Sequence, residues 1–402
     1  MSALGRVRRS LFELPGALIP SAWVAGLLVV IVGFTGSLVL VVPAAKAAGL
    51  SSVQLSSWVW AICVGSGVAT LLLSMLYKQP VLTAWSTPGL ALLATSLAQY
   101  RLGEAVGAYI AVGVAVALLG ISGLFDRIVR FIPQPVALAV LGGLLLKYGF
   151  ALFSGLAESP LVVLAIIGVY LLLRRLGSRV PMAGALLAGF GAAWALGLLD
   201  LSGVRLELAT PVFIAPEFTP RALLGLGMPL FVLALASQNL PGFAVMRAAG
   251  YTPPVKGSLV VTGLLSVLLA PALNHGLTLA AITAAIGNSP EAHPDAQKRY
   301  GAAVVAGALK LVLGLFGVTI VSVLIALPAA VVAALAGLAL SGTIMNCLTG
   351  SFAEPRHRDS ALWALLVTAS NVQFFGIGSA FWGFVAGVAV SLLLERRVVA
   401  TA

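Results

Sequence analysis

Apolar runs follow one another almost end to end along this chain, separated by short polar breaks. A helix needs about 20 such residues to cross the hydrocarbon core of a bilayer. Fourteen runs can be drawn: 21–43, 53–77, 81–99, 104–124, 133–154, 159–175, 181–199, 221–246, 255–272, 275–289, 299–320, 322–347, 360–373 and 376–395. Each is continuously apolar rather than alternating, which predicts helices and argues against a β-barrel. The last two leave hardly a loop between them. The break at 200–220 holds Pro211, Pro216 and Pro220, which predict an extended loop. The pattern predicts an all-α polytopic membrane protein behind a short basic tail, 1–20, that lacks a cleavage site.

Composition agrees. Hydrophobic residues make up 60% of the 402 and charged ones 9%, against about 25% charged in a soluble domain. Lipid must be the solvent for most of the chain. The net charge of +11 suggests nucleic acid, but its basic residues form clusters between runs, not one stripe. That is the positive-inside pattern of a bacterial inner-membrane protein. With both termini cytoplasmic, 17 of the 23 Lys and Arg fall on that side: Arg6, Arg8, Arg9, Lys78, Arg127, Arg130, Arg174, Arg175, Arg179, Arg247, Lys256, Lys298, Arg299, Arg356, Arg358, Arg396 and Arg397. The other six are Lys46, Arg101, Lys147, Arg205, Arg221 and Lys310. Lys147 is expected near a periplasmic end, as an anchor. Cys63 and Cys347 lie in apolar runs and read as packed side chains, not a disulfide or metal pair.

Two runs are interrupted where they should be most regular. One carries Trp85-Ser86-Thr87-Pro88-Gly89-Leu90, the other Asn274-His275-Gly276-Leu277-Thr278. Aligned on Gly89 and Gly276, both read Gly-Leu-x-Leu-x-Ala, 187 residues apart. Fourteen spans divide into seven plus seven, and an odd number per half forces inverted insertion. Alone, a Pro-Gly pair is a kink. Matched interruptions in inverted halves point to a transporter site. Half-helices starting after Gly89 and Gly276 would aim their N-termini at one point, which suits an anion.

Other polar residues at depth sharpen this. Ser237, Gln238 and Asn239 sit together in the eighth run and are costly there unless they face a cavity or each other. Gly33 to Ser37 in the first run read as helix-packing residues. All twelve carboxylates fall in loops, tails or span ends, so no acid is available for a proton relay. His275 sits at a break. It can titrate near neutral pH as a proton-coupling residue, or serve structurally, bonded to a backbone carbonyl. Lys310 either snorkels or faces the core as a fixed charge. Trp85 could stack on a planar ring. Phe374, Phe375, Phe381 and Trp382 read as hairpin packing or an interface belt. No metal-spaced or Ser/His/Asp set exists, so an enzyme, a metal and a cofactor are not expected.

At these residues the chain resembles the benzoate/proton symporter family (BenE type). The resemblance is carried by Pro20-Ser21-Ala22-Trp23-Val24-Ala25-Gly26, Val81-Leu82-Thr83-Ala84-Trp85-Ser86-Thr87-Pro88-Gly89, Ala236-Ser237-Gln238-Asn239-Leu240-Pro241-Gly242, Asn274-His275-Gly276, Ala281-Ile282-Thr283-Ala284-Ala285-Ile286, Pro290-Glu291-Ala292-His293-Pro294-Asp295 and Phe375-Gly376-Ile377-Gly378-Ser379-Ala380-Phe381-Trp382-Gly383. It implies a uracil-transporter-like fold with broken third and tenth spans. It also implies a core domain (21–124 and 221–320), a gate domain (133–199 and 322–395), elevator-like movement and a homodimer. Related nucleobase carriers use acids in spans 8 and 10. Here Gln238-Asn239 and Asn274-His275 stand there, which fits an anionic substrate. The expected function is proton-coupled uptake of benzoate or a similar small aromatic carboxylate. The expected site is Trp85 to Leu90, Ser237 to Asn239 and Asn274 to Thr278. A nucleobase or other anion carrier of the same fold, or an uncoupled anion channel, remains open.

Overall fold

The computed structural model describes residues 3–127, 133–178, 180–202, 204, 206–280, 282–375 and 377–395. Arg130, Arg179, Arg205, Arg396 and Arg397 of the charge census lie outside these, as do Ala281, Gly376 and the side chains of Thr35 and Ser37. The helices are α1 (Ala3–Glu13), α2 (Pro20–Ser37), α3 (Val41–Ala47) and α4 (Ser52–Tyr77). Strand β1 (Thr83–Trp85), α5 (Thr87–Ser96) and α6 (Leu102–Ser122) follow. Next come α7 (Gln134–Glu158), α8 (Pro160–Arg175), α9 (Pro181–Ala195), α10 (Pro220–Ala248) and α11 (Val255–Leu269). Strand β2 (Leu277–Leu279), α12 (Ile282–Asn288), α13 (Tyr300–Leu315), α14 (Gly317–Ala326), α15 (Ala329–Phe352), α16 (Arg358–Ala369) and α17 (Ser379–Val390) complete the order.

Local chemistry sets these boundaries. Ser51 and Gln54 form a reciprocal capping box at the start of α4 (3.2 and 2.9 Å). Prolines open α2, α7, α8, α9 and α10, where a missing N–H costs nothing. α10 widens into π turns at Leu223–Gly227 and Leu235–Asn239. Each lies just before a proline, Pro229 and Pro241, whose ring collides with the carbonyl four residues back.

The helices pack as two sets. α4 lies along α13, α6 along α11, and α2 against α13 and α12. Elsewhere α15 lies along α7, α16 against α7 and α17, and α8 against α9. Small residues let the first set approach closely. A Cβ on Gly263 would stand 2.7 Å from the Gly113 carbonyl, and one on Gly67 2.9 Å from that of Gly307.

Among the described residues six helices are each long and apolar enough to cross a membrane, or eight crossings if two sharply bent pairs count as one span each. Other expected spans appear as shorter helices, such as α8 and α9, or as strand plus half-helix. The boundary drawn between 299–320 and 322–347 is corrected. α13 ends at Leu315, the chain bends by 73° into α14, and α15 begins only after Pro328. The first run also divides, into α2, a 3-10 turn at Leu38–Leu40, and α3. The stretch 206–219 is extended, held by Ala209 N–H on the Leu315 carbonyl and Ile214 N–H on that of Pro271 (both 2.8 Å). Both cysteines are buried and free. Trp382 contacts the rings of Phe374, Phe375 and Phe381 within the hairpin, while Phe374 and Phe375 stay exposed as residues of an interface belt would.

Candidate functional site

The two breaks meet each other. β1 pairs antiparallel with β2 in the register Thr83 to Leu279, Ala84 to Thr278 and Trp85 to Leu277. Ser86 N–H on the Gly276 carbonyl (3.2 Å) and Ala280 N–H on that of Leu82 (2.9 Å) extend the ladder. Extended backbone at membrane depth is tolerable only when every polar group finds a partner. The inward groups find each other.

The outward groups are met by side chains. Thr83 N–H donates to Thr70 Oγ1 (3.1 Å), and the Thr83 carbonyl accepts from Lys310 Nζ (2.6 Å). Leu277 N–H donates to Ser266 Oγ (2.8 Å), and Leu279 N–H to Asn239 Oδ1 (3.0 Å). Lys310 is buried, so it faces the core and does not snorkel. Asn239 is likewise accounted for as a backbone partner, presented by the π turn of α10. Lys147 lies midway along α7, not near its end, and its ammonium reaches the Ala94 carbonyl of α5 (3.3 Å).

This pairing corrects the alignment on Gly89 and Gly276. Gly89 lies inside the first turn of α5, whereas Gly276 precedes a strand at φ 129°. The corresponding strands start at Thr83 and Leu277, 194 residues apart. The half-helices therefore begin at Thr87 and Ile282, not after the two glycines. Ser86 caps α5, its Oγ accepting from Gly89 N–H (3.0 Å) and its carbonyl from Leu90 N–H (2.9 Å). Pro88 has no N–H, so the first turn keeps that of Thr87 to offer.

His275 ties the breaks together. Its Nδ1 accepts from Trp58 Nε1–H of α4 (2.9 Å), and its Nε2 lies 3.1 Å from the Ser86 carbonyl. An indole N–H can only donate, so Nδ1 carries no proton and Nε2–H donates to Ser86. The ring is neutral, buried, and occupied at both nitrogens. His275 thus takes the structural role here, and a proton can reach Nδ1 only where Trp58 gives it up. Beside it, Asn274 Oδ1 accepts from Gly276 N–H (3.1 Å).

A cavity of about 10 Å³, the room of a single water, opens at the ladder's end. Of the residues expected at a site, Ser86, His275, Gly276, Leu277 and Thr278 line it. Trp85, Thr87, Pro88, Gly89, Leu90, Ser237, Gln238, Asn239 and Asn274 do not. Trp85 points instead to Phe34, edge to face at 5.5 Å. The remaining wall is Val112, Gly113 and Val116 of α6, Leu230 and Ala234 of α10, and Ser266 of α11. Those residues and Trp58 were not singled out from the sequence. Ser258, Thr262 and Ser266 recur every fourth residue in an otherwise apolar helix, a signal that could have found the last of them. Thr278 Oγ1, Trp85 Nε1 and the Asn274 and Asn239 amide nitrogens are buried without a hydrogen-bond partner among the described residues. No group of three or more metal-ligating side chains occurs among them either.

Comparisons with known proteins agree on the kind of molecule. A family model described as "Benzoate membrane transport protein" (BenE) matches residues 16–393. The chain is 41% identical over 391 residues to the inner membrane protein YdcO of Escherichia coli, covering 96% of this chain and 99% of that protein. It is 37% identical over 376 residues to the benzoate membrane transport protein of Acinetobacter baylyi, covering 94% and 95%. Among solved structures, the transmembrane domain of the cyanobacterial bicarbonate transporter BicA matches with a TM-score of 0.57 at 14% identity, over 92% of this chain and 97% of that one. SLC26A9 matches with a TM-score of 0.62 at 13% identity, over 92% and 64%. At these identities the likeness is one of fold.

Proposed function

The chain belongs to the benzoate membrane transport protein family, a family of transporters and not of enzymes, and we propose that it imports benzoate or a similar small aromatic carboxylate together with a proton. One observation carries the proposal beyond the family. The two interrupted segments pair with each other, and their junction holds neutral and basic groups without a carboxylate. An acid there would repel an anionic substrate. The Acinetobacter relative is named for benzoate, and the same cargo is proposed here.

In this reading the fold is two inverted repeats of seven spans, of uracil-transporter type. The set built on α4, α6, α11 and α13 is the core, and the set built on α7, α15 and α16 is the gate. The core moves as a rigid body past the gate, and the Lys147 contact to Ala94 breaks and reforms. Substrate enters when α6 and α10 draw back from the ladder, exposing Thr278 and the N–H of Thr87. His275 accepts the coupling proton in the state where Trp58 has left Nδ1. A homodimer through the gate set and an inner-membrane location with cytoplasmic termini complete the proposal. The last draws on the positive-inside distribution and on the Escherichia coli relative's name.

Uptake of radiolabelled benzoate into proteoliposomes tests it. An imposed inward proton gradient should drive accumulation above the outside concentration. Equilibration without accumulation would identify a channel. Competition by uracil but not by unlabelled benzoate would identify a nucleobase carrier.

A further inference from the structure

The N-terminal helix is not absorbed by the transport reading. α1 meets α2 at a bend of 105°, so it runs across the direction of the spans. Its depth is fixed by two hydrogen bonds. Ser10 Oγ donates to the carbonyl of Met75, in the last turn of α4 (2.6 Å), and Tyr300 Oη, at the first residue of α13, donates to the Ser10 carbonyl (3.1 Å). Glu13 adds ion pairs to Lys78, just past the end of α4, and to Arg9. The helix therefore lies flat at the level where two spans end.

Its exposed surface is of two kinds. Val7 and, just past the helix, Leu14 are half-buried on the side facing the protein, Leu14 against Ala17, Met75 and Tyr300, and Leu11 stands at the open edge of that side. Leu11 is 55% exposed and Phe12 86%. Arg6, Arg8 and Arg9 are exposed as well, and the lone carboxylate on the helix, Glu13, is held by Lys78 and Arg9. Gly5, Arg8, Arg9, Phe12 and Glu13 outline a shallow groove. A flat helix with two exposed apolar side chains beside a cluster of arginines, at the end of the spans, matches a surface of acyl chains below anionic phosphates.

We propose that α1 is an interfacial helix that binds anionic phospholipid headgroups, with Leu11 and Phe12 entering the acyl boundary and Arg6, Arg8 and Arg9 engaging phosphates. The partner is a lipid surface, not a second protein and not a soluble phosphate. Each arginine near an anionic surface favours binding roughly fivefold.

The full-length protein is placed in nanodiscs of phosphatidylcholine alone or with phosphatidylglycerol, and hydrogen exchange of residues 3–13 is followed. Phosphatidylglycerol should slow exchange of α1 by tenfold or more, on the order set by two or three arginines. A triple Arg6→Gln, Arg8→Gln, Arg9→Gln variant should lose that dependence while residues of α4 exchange unchanged, showing an intact fold. A Leu11→Ala, Phe12→Ala variant should exchange faster in both lipids and keep the lipid difference. Equal exchange of the native helix in the two lipids would overturn the proposal. So would a lipid effect that survives in the triple variant, or protection by inorganic phosphate in phosphatidylcholine discs.

Discussion

Replacing His275 separates its two possible jobs. His275→Ala strands the Trp58 N–H and the Ser86 carbonyl, which the ring now bridges at 2.9 and 3.1 Å. Each stranded buried group costs about 1–3 kcal/mol, so the pair costs about 2–6 kcal/mol. That approaches the whole stability of a marginal fold, about 5–15 kcal/mol, and loss of transport in this variant would say nothing about protons. His275→Gln is the informative change. Its amide places an acceptor toward Trp58 and a donor toward Ser86, reproducing both bonds, so stability should stay within about 1 kcal/mol of the native chain. It cannot titrate. In proteoliposomes the Gln variant should exchange external for internal benzoate but fail to accumulate it under an inward proton gradient. Thermal unfolding in detergent supplies the stability control. Full gradient-driven accumulation by His275→Gln would refute the assignment of the coupling proton to this ring.

Lys310→Met removes a buried ammonium about 10 Å along β1 from Ser86, a charge interaction of about 1.5 kcal/mol at an effective dielectric of 20. The change also leaves the Thr83 carbonyl with only the longer Thr70 hydroxyl contact, so thermal unfolding is followed alongside; with the fold retained, benzoate KM should rise roughly tenfold while inhibition by the neutral analogue benzamide changes far less. Gly263→Val puts side-chain atoms where a Cβ would already stand 2.6 Å from Ala117 N and 2.7 Å from the Gly113 carbonyl, so thermal unfolding should show a loss of about 1–3 kcal/mol or misfolding. Ion pairing with Lys78, then Arg9, holds the Glu13 carboxyl below the usual carboxylate range. Its contribution to docking of α1 is therefore full above the unfolded value and lost as pH falls through the folded one, and the exchange protection of residues 3–13, relative to the intrinsic rate at each pH, should drop there while that of α4 holds.

The long helices were legible because a span must be continuously apolar, as Ser52–Tyr77 and Gln134–Glu158 are. The two interruptions were legible for the complementary reason, since Pro88 and the Asn274-His275-Gly276 run cannot continue a helix. The register between them was not. A shared Gly-Leu pattern at 187 residues suggested one register, but the strands pair through backbone conformation in another, and three-residue strands leave too little pattern to read. Which side Lys310 faces is decided by the Thr83 carbonyl, 227 residues away in sequence. Trp58 was invisible for the same reason, because a tryptophan in an apolar run shows its N–H partner only in three dimensions. Asn239 and Ser266 were noticed or noticeable as polar, yet a polar residue meant for substrate and one meant for an edge-strand N–H look alike in sequence.

The polar residues around the ladder bear on what a proton can accomplish. Thr70, Asn239, Ser266 and Lys310 are committed to backbone groups that would otherwise be stranded at membrane depth. They are scaffold first, and with Lys310 keeping its proton throughout they add the same charge to a loaded and to an empty core. With them fixed, the charge that moves is the substrate's plus whatever proton joins it. One carboxylate with one proton on His275 adds nothing to the core's charge, so the loaded and the returning empty core cross the membrane field alike. Transport coupled this way answers to a pH gradient and not to voltage. A valinomycin-imposed potential without a pH difference should then leave benzoate at equilibrium. Accumulation under voltage alone would mean that more than one positive charge travels with each anion, which one proton on His275 does not supply.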